Sequence, residues 1–123
     1  MSGPLEDVPF EEDVLFEFCR SLPGAAEDVK WGDNLVFSVA AKMFAVFQLP
    51  DGQPISFKVE PLVFASLTEH EGIVPAPYLA RHGWVQVQDR AVMPAENLQD
   101  FIAESHRLVV SKLPKKVQRE LEL

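Results

Sequence analysis

The chain of 123 residues has one cysteine, one tyrosine, three histidines and six glycines. A lone Cys19 allows no intramolecular disulfide and no thiolate zinc cluster. The glycines are scattered and form neither Gly-x-Gly-x-x-Gly nor Gly-Lys-Ser/Thr, so the backbone cradles of phosphate-binding loops are missing. His70, His82 and His106 stand at spacings that match no helical or loop ligand pattern, and no Gly-x-Ser-x-Gly elbow accompanies them. Long apolar runs are lacking too. The longest without proline, Met43–Phe47, is far short of the roughly 18 residues that a membrane span needs. The opening stretch MSGPLEDVPFEED is acidic, unlike a secretory signal. The expectation is a soluble, cytoplasmic, non-enzymatic protein with no cofactor, no bound metal and no membrane association.

Positive charge is also scarce. Eleven Lys and Arg face 19 Asp and Glu, a formal net charge of -8. That balance argues against a generally basic nucleic-acid binder. The excess is uneven, because residues 1–30 hold eight acids against Arg20 and Lys30, whereas residues 31–123 are close to neutral. Arg107, Lys112, Lys115, Lys116 and Arg119 form a basic run near the end, matching the dipole of a helix C-terminus or offering contacts to an anionic partner. The acidic front could bind cations weakly through carboxylate oxygens. Adjacent Glu11, Glu12 and Asp13 on a helix splay over about 200 degrees, however, which favours a solvated face.

At 47% hydrophobic residues the chain can bury a single core, and one domain is expected over residues 1–123, with termini near 1–8 and 116–123 free to fray. Apolar spacing predicts a helix over Phe10–Leu22, ended by Pro23-Gly24, with Cys19 on its buried stripe. Leu35–Ala40 and Lys42–Leu49 read as a hairpin. Ile55–Glu60 alternates, with Ile55, Phe57 and Val59 on one face and Ser56, Lys58 and Glu60 on the other. Pro61 opens a short helix to about His70, Gly72–Gly83 is the least regular segment, and Trp84–Gln88 reads as a strand. Pro94–Leu113 is the longest helix, with Leu98, Phe101, Ile102, Ser105 and Val109 inward and His106 and His70 solvated or capping. The fold class is α+β: a two-layer sandwich in α-β-β-β-α-β-α order, its antiparallel sheet covered by helices on one face.

Two groups of residues can carry binding. Lys42, Lys58, Arg81, His82 and Arg90, interleaved with Phe44 and Trp84, offer phosphate contacts. The rigid Pro-containing loop within residues 72–84, with Tyr78 and Trp84, offers a site for a protein or small ligand.

Trp31-Gly32, Lys42-Met43-Phe44-Ala45, Ser56-Phe57-Lys58-Val59, Gly72-Ile73-Val74-Pro75-Ala76-Pro77-Tyr78-Leu79 through Trp84-Val85, and Val109-Val110-Ser111-Lys112-Leu113-Pro114 occur in an order that resembles the MmcQ/YjbR family of small bacterial proteins. The likeness spans about residues 10–117. It implies a frataxin-like α-β-α sandwich and a DNA-binding role through a double-wing arrangement of sheet and loops. Under that role Lys42, Lys58, Arg81, His82 and Arg90 would hold phosphates rather than read bases. The frataxin comparison also brings iron binding at an acidic first helix into view, although the frataxin motifs are not matched. A monomer is the expected state.

Overall fold

The computed structural model describes residues 13–123. Helix α1 (Val14–Ser21) begins at Asp13, whose Oδ1 accepts from the backbone N–H groups of Leu15 and Phe16 at 2.9 and 3.3 Å. That side-chain cap satisfies two of the donors every helix start leaves unpaired. Residues 10–12 of the expected helix lie outside the described residues. Leu15, Phe16 and Cys19 are buried, as the apolar stripe requires.

Six strands follow: β1 (Ala25–Lys30), β2 (Asn34–Val39), β3 (Lys42–Gln48), β4 (Ile55–Lys58), β5 (Ile73–Pro75) and β6 (Trp84–Val87). They form one antiparallel sheet in the order β1-β2-β3-β4-β6-β5. Two of them, β1 and β5, were not expected. The first has no apolar alternation and is almost wholly exposed, so only its pairing along the full length of β2 makes it a strand. The second is three residues inside the Pro-rich segment, paired with β6.

Directly paired residues of an antiparallel sheet point to the same side. Leu35, Phe37, Phe47, Ile55, Phe57, Val85 and Val87 therefore share one face, and all are buried in the core. A bulge where β3 passes Phe37 and Ser38 places both Phe44 and Ala45 in that core. The same irregularity is one residue of offset, which keeps Met43 on the opposite face.

Helix α2 (Pro61–Leu67) starts at its proline, and α3 (Ala95–Ser111) lies across β3 and β4 while also packing on α1. On α3, Leu98, Ile102, Ser105 and Val109 are buried as the periodicity predicts. His106 is a correction: it is buried, edge-on to the Phe44 ring with centroids 5.1 Å apart, and its Nε2 donates to the Pro23 carbonyl at 2.7 Å. The tail also departs from expectation, since Lys115–Glu120 forms α4 and Leu123 packs against the core. Gln118 Nε2 donates to the Leu113 carbonyl at 2.8 Å and ties the two last helices together.

Candidate functional site

With the helices on one side, the other face of the sheet carries Asn34, Met43, Val46, Gln48, Ser56 and Gln86. The chain from Ala76 to Leu79 folds beside these residues, and the two enclose a groove of about 590 Å3. Trp31, from the turn between β1 and β2, also lines it. No Asp, Glu, Lys, Arg or His is among the lining residues. A volume of this order is typical of small-molecule sites.

The loop is built by its sequence. Leu79 N donates to the Ala76 carbonyl at 3.2 Å, closing a four-residue turn with Pro77 second and Tyr78 third. Proline presets the second position, while a positive φ at the third favours glycine or asparagine. Tyr78 stands there with φ 68° and is 98% exposed. Trp31 has φ 50° and is 67% exposed, its carbonyl accepting from Asp33 N at 3.1 Å and from Asn34 Nδ2 at 3.4 Å. Both aromatic residues thus hold a left-handed backbone without burying their rings in this chain.

A second depression lies where α2, α3 and residues 80–83 meet. Lys58, Arg81, His82 and Lys112 line it together with Glu60, Phe64 and Leu108. Lys58 Nζ donates to the His82 carbonyl, which fixes the strand end to the short helical turn Ala80–His82. Three of the five expected phosphate contacts therefore converge, joined by Lys112 from the basic run.

The other two do not. Lys42 pairs with Val39 across the β2–β3 turn and lines neither depression. Arg90 is occupied internally. Its Nη2 lies 2.9 Å from Asp13 Oδ2, its Nε donates to the Gly52 carbonyl at 3.0 Å, and its guanidinium lies 5.6 and 5.7 Å from the centroids of Phe16 and Phe47. A cation so packed and paired braces the fold. Gly52, at φ +76°, lies against this guanidinium, and a Cβ there would meet Arg90 Nη2 at 2.4 Å and displace it. Arg107, also of the basic run, pairs with Glu104 and lies 3.7 Å from Glu60. Its hydrogen bonds hold the Glu104 carboxyl below the usual carboxylate range.

Trp84 is only 5% exposed and stands opposite Lys58, outside the groove that Tyr78 overhangs. Sequence reasoning missed Trp31, Asn34, Gln48 and Gln86 as lining residues. The alternation of Ser56 with Ile55 and Phe57 did mark the face they share.

Among the described residues no group of three or more His, Cys, Asp and Glu is placed to hold a metal ion. Glu11 and Glu12 of the expected cation site lie outside the described residues, and Asp13 is engaged by the α1 cap and Arg90. Among the described residues no helix is long and apolar enough to cross a membrane.

The YjbR family model matches residues 20–108. The chain belongs to the YjbR family. A crystal structure of a Deinococcus radiodurans protein with the family-model domain DUF419 is similar over 90% of this chain and 87% of that one, at 31% identity and a TM-score of 0.82. A Pseudomonas syringae protein of known structure shares the fold at 20% identity and a TM-score of 0.65, over 79% of this chain and 97% of its own. No curated protein matches. Both grooves of this YjbR domain draw on the matched span, apart from Lys112, which lies beyond it.

Proposed function

We propose that this YjbR domain is a non-enzymatic binding module whose ligand, a small uncharged molecule, sits in the groove between the open sheet face and the 76–79 loop. The observation that carries this reading is the concave, uncharged lining beside the exposed Tyr78. In a molecule of net charge -8, a groove lined without ionic groups gives a charged ligand nothing to pair with there. Support for the non-enzymatic part comes from one thiol and one imidazole that the fold withdraws. Cys19 is sealed in the core and burial pushes its thiol up, while His106 is buried against Phe44 and engaged by Pro23.

The test is a thermal-shift screen with uncharged metabolites, repeated on Val46→Trp, which fills the groove floor from the solvent side of β3. Stabilisation by at least one compound, lost in the folded variant, is the expected outcome. A screen without a single stabilising compound, or hits that survive the filled groove, removes the reading.

A second reading, DNA binding, is favoured by the convergence of Lys58, Arg81, His82 and Lys112. Glu60 in the same depression opposes it. With three permanent cations available, log affinity for duplex should fall against log salt with a slope of about -3. A mobility-shift titration at about 50 mM salt without retardation of any duplex excludes it.

A further inference from the structure

The groove's two exposed aromatic residues limit what its ligand can be. Tyr78 and Trp31 both line it, and both hold a backbone conformation that L-residues rarely adopt. Residues kept in sparsely populated backbone regions cluster at ligand sites, where the strain orients a side chain. Tyr78 gains no packing from its position, being 98% exposed. Polar side chains line the same groove. Ser56 is 8% exposed, and neither its hydroxyl nor the side-chain amides of Gln48 and Gln86 hydrogen-bond to any described residue. Asn34 spends only one donor, on the Trp31 carbonyl. Ser56 pairs with Gln86 and Asn34 with Gln48, so two polar pairs, offset by two residues along the strands, lie on one face beside Val46.

From this juxtaposition we propose that the groove takes a planar, uncharged heteroaromatic ring: Tyr78 and Trp31 supply faces for stacking, and Ser56, Gln48 and Gln86 supply donors and acceptors to its edge. The inference rests on the groove being the ligand site and adds the ring. Amides present both a donor and an acceptor, so they match a ring that carries a lactam or an exocyclic amide. Aromatic surfaces prefer a flat partner in offset contact, and removing one stacking side chain weakens binding by about fivefold or more. The uncharged lining disfavours ionised rings at no cost in shape.

The test is a titration of the full chain followed by two-dimensional amide NMR, using nicotinamide, adenosine and, as a saturated control, cyclohexanecarboxamide. Nicotinamide and adenosine should shift the side-chain amides of Gln48 and Gln86 and the Trp31 indole N–H. The control should bind at least about fivefold more weakly, as expected for the loss of one stacked face. Tyr78→Ala should weaken ring binding by a similar factor, whereas Tyr78→Phe should restore it. Since Tyr78 is exposed, these variants should fold like the parent. Control and rings binding with equal affinity, or rings indifferent to Tyr78→Ala, would overturn the ring while leaving the groove as a ligand site. Shifts by none of the three compounds would overturn it as well, and the thermal-shift screen then decides the groove independently.

Discussion

At the scale of single residues, Arg90 carries the clearest lesson. Its number and charge placed it among phosphate contacts, yet Asp13, Gly52 and two phenylalanine rings surround it. Nothing near Arg90 in sequence announces Asp13, which is 77 positions away. Asp13 both caps α1 and faces Arg90, so its loss removes two interactions at once. Asp13→Ala should destabilise the domain by about 2 kcal/mol, with Asp13→Asn losing less because asparagine still caps. Urea denaturation measures both. Equal losses would show that the ion pair, not the cap, carries the effect. Cys19 makes a second test. Burial pushes its thiol up from 9.0, so the folded state favours the protonated form. A raised acid contributes stability below its unfolded value and loses it as pH rises. The urea midpoint should therefore fall above about pH 9, and fall less steeply in Cys19→Ala; parallel curves would contradict this. The native thiol should also resist iodoacetamide until the chain is unfolded.

Among elements, legibility followed local pattern. The Ile55–Val59 alternation and the α3 stripe were readable because side-chain periodicity alone assigns their faces. Strand β1 was not, since AAEDVK carries no such pattern and owes its conformation to β2. Ser105 shows how an element can be placed correctly while its chemistry stays hidden. It was expected on the inward stripe of α3, and it is fully buried there. Its hydroxyl donates to the Phe44 carbonyl at 2.7 Å and accepts from Lys58 N at 3.0 Å. Those two backbone groups lie just beyond the Ala45–Phe57 pair that ends the β3–β4 ladder, so the hydroxyl bridges the two strands where their direct pairing stops. Ser105→Ala would strand the buried Phe44 carbonyl and the part-buried Lys58 N–H. The expected loss is about 2 kcal/mol or more by urea denaturation, against near neutrality for a solvent-facing serine such as Ser111. A Ser105→Ala midpoint equal to the parent's would mean that the ladder closes without it.

For the whole molecule, the sequence read the α+β layering and the family from short segments, but the site emerges only from register. Trp31, Asn34, Gln48, Ser56, Tyr78 and Gln86 come from separate segments and converge because of strand order and register. No single-sequence pattern encodes that convergence. The charge distribution can now be weighed against it. Glu6, Asp7, Glu11 and Glu12 supply four of the negative charges and no base accompanies them, while the basic depression holds only Lys58, Arg81 and Lys112 as permanent cations. If that depression bound nucleic acid, neutralising the four acids would raise its affinity at low salt. The gain would vanish near 0.5 M, where screening is shorter than about 5 Å. If the groove binds an uncharged ring instead, ring affinity should be independent of those four charges and of salt. Glu6→Gln, Asp7→Asn, Glu11→Gln and Glu12→Gln combined, titrated with adenosine and with duplex DNA at two salt concentrations, separates the two. Unchanged adenosine binding beside absent DNA binding would leave the sheet-face groove as the functional surface; salt-dependent DNA binding that strengthens in the variant would return the depression to first place.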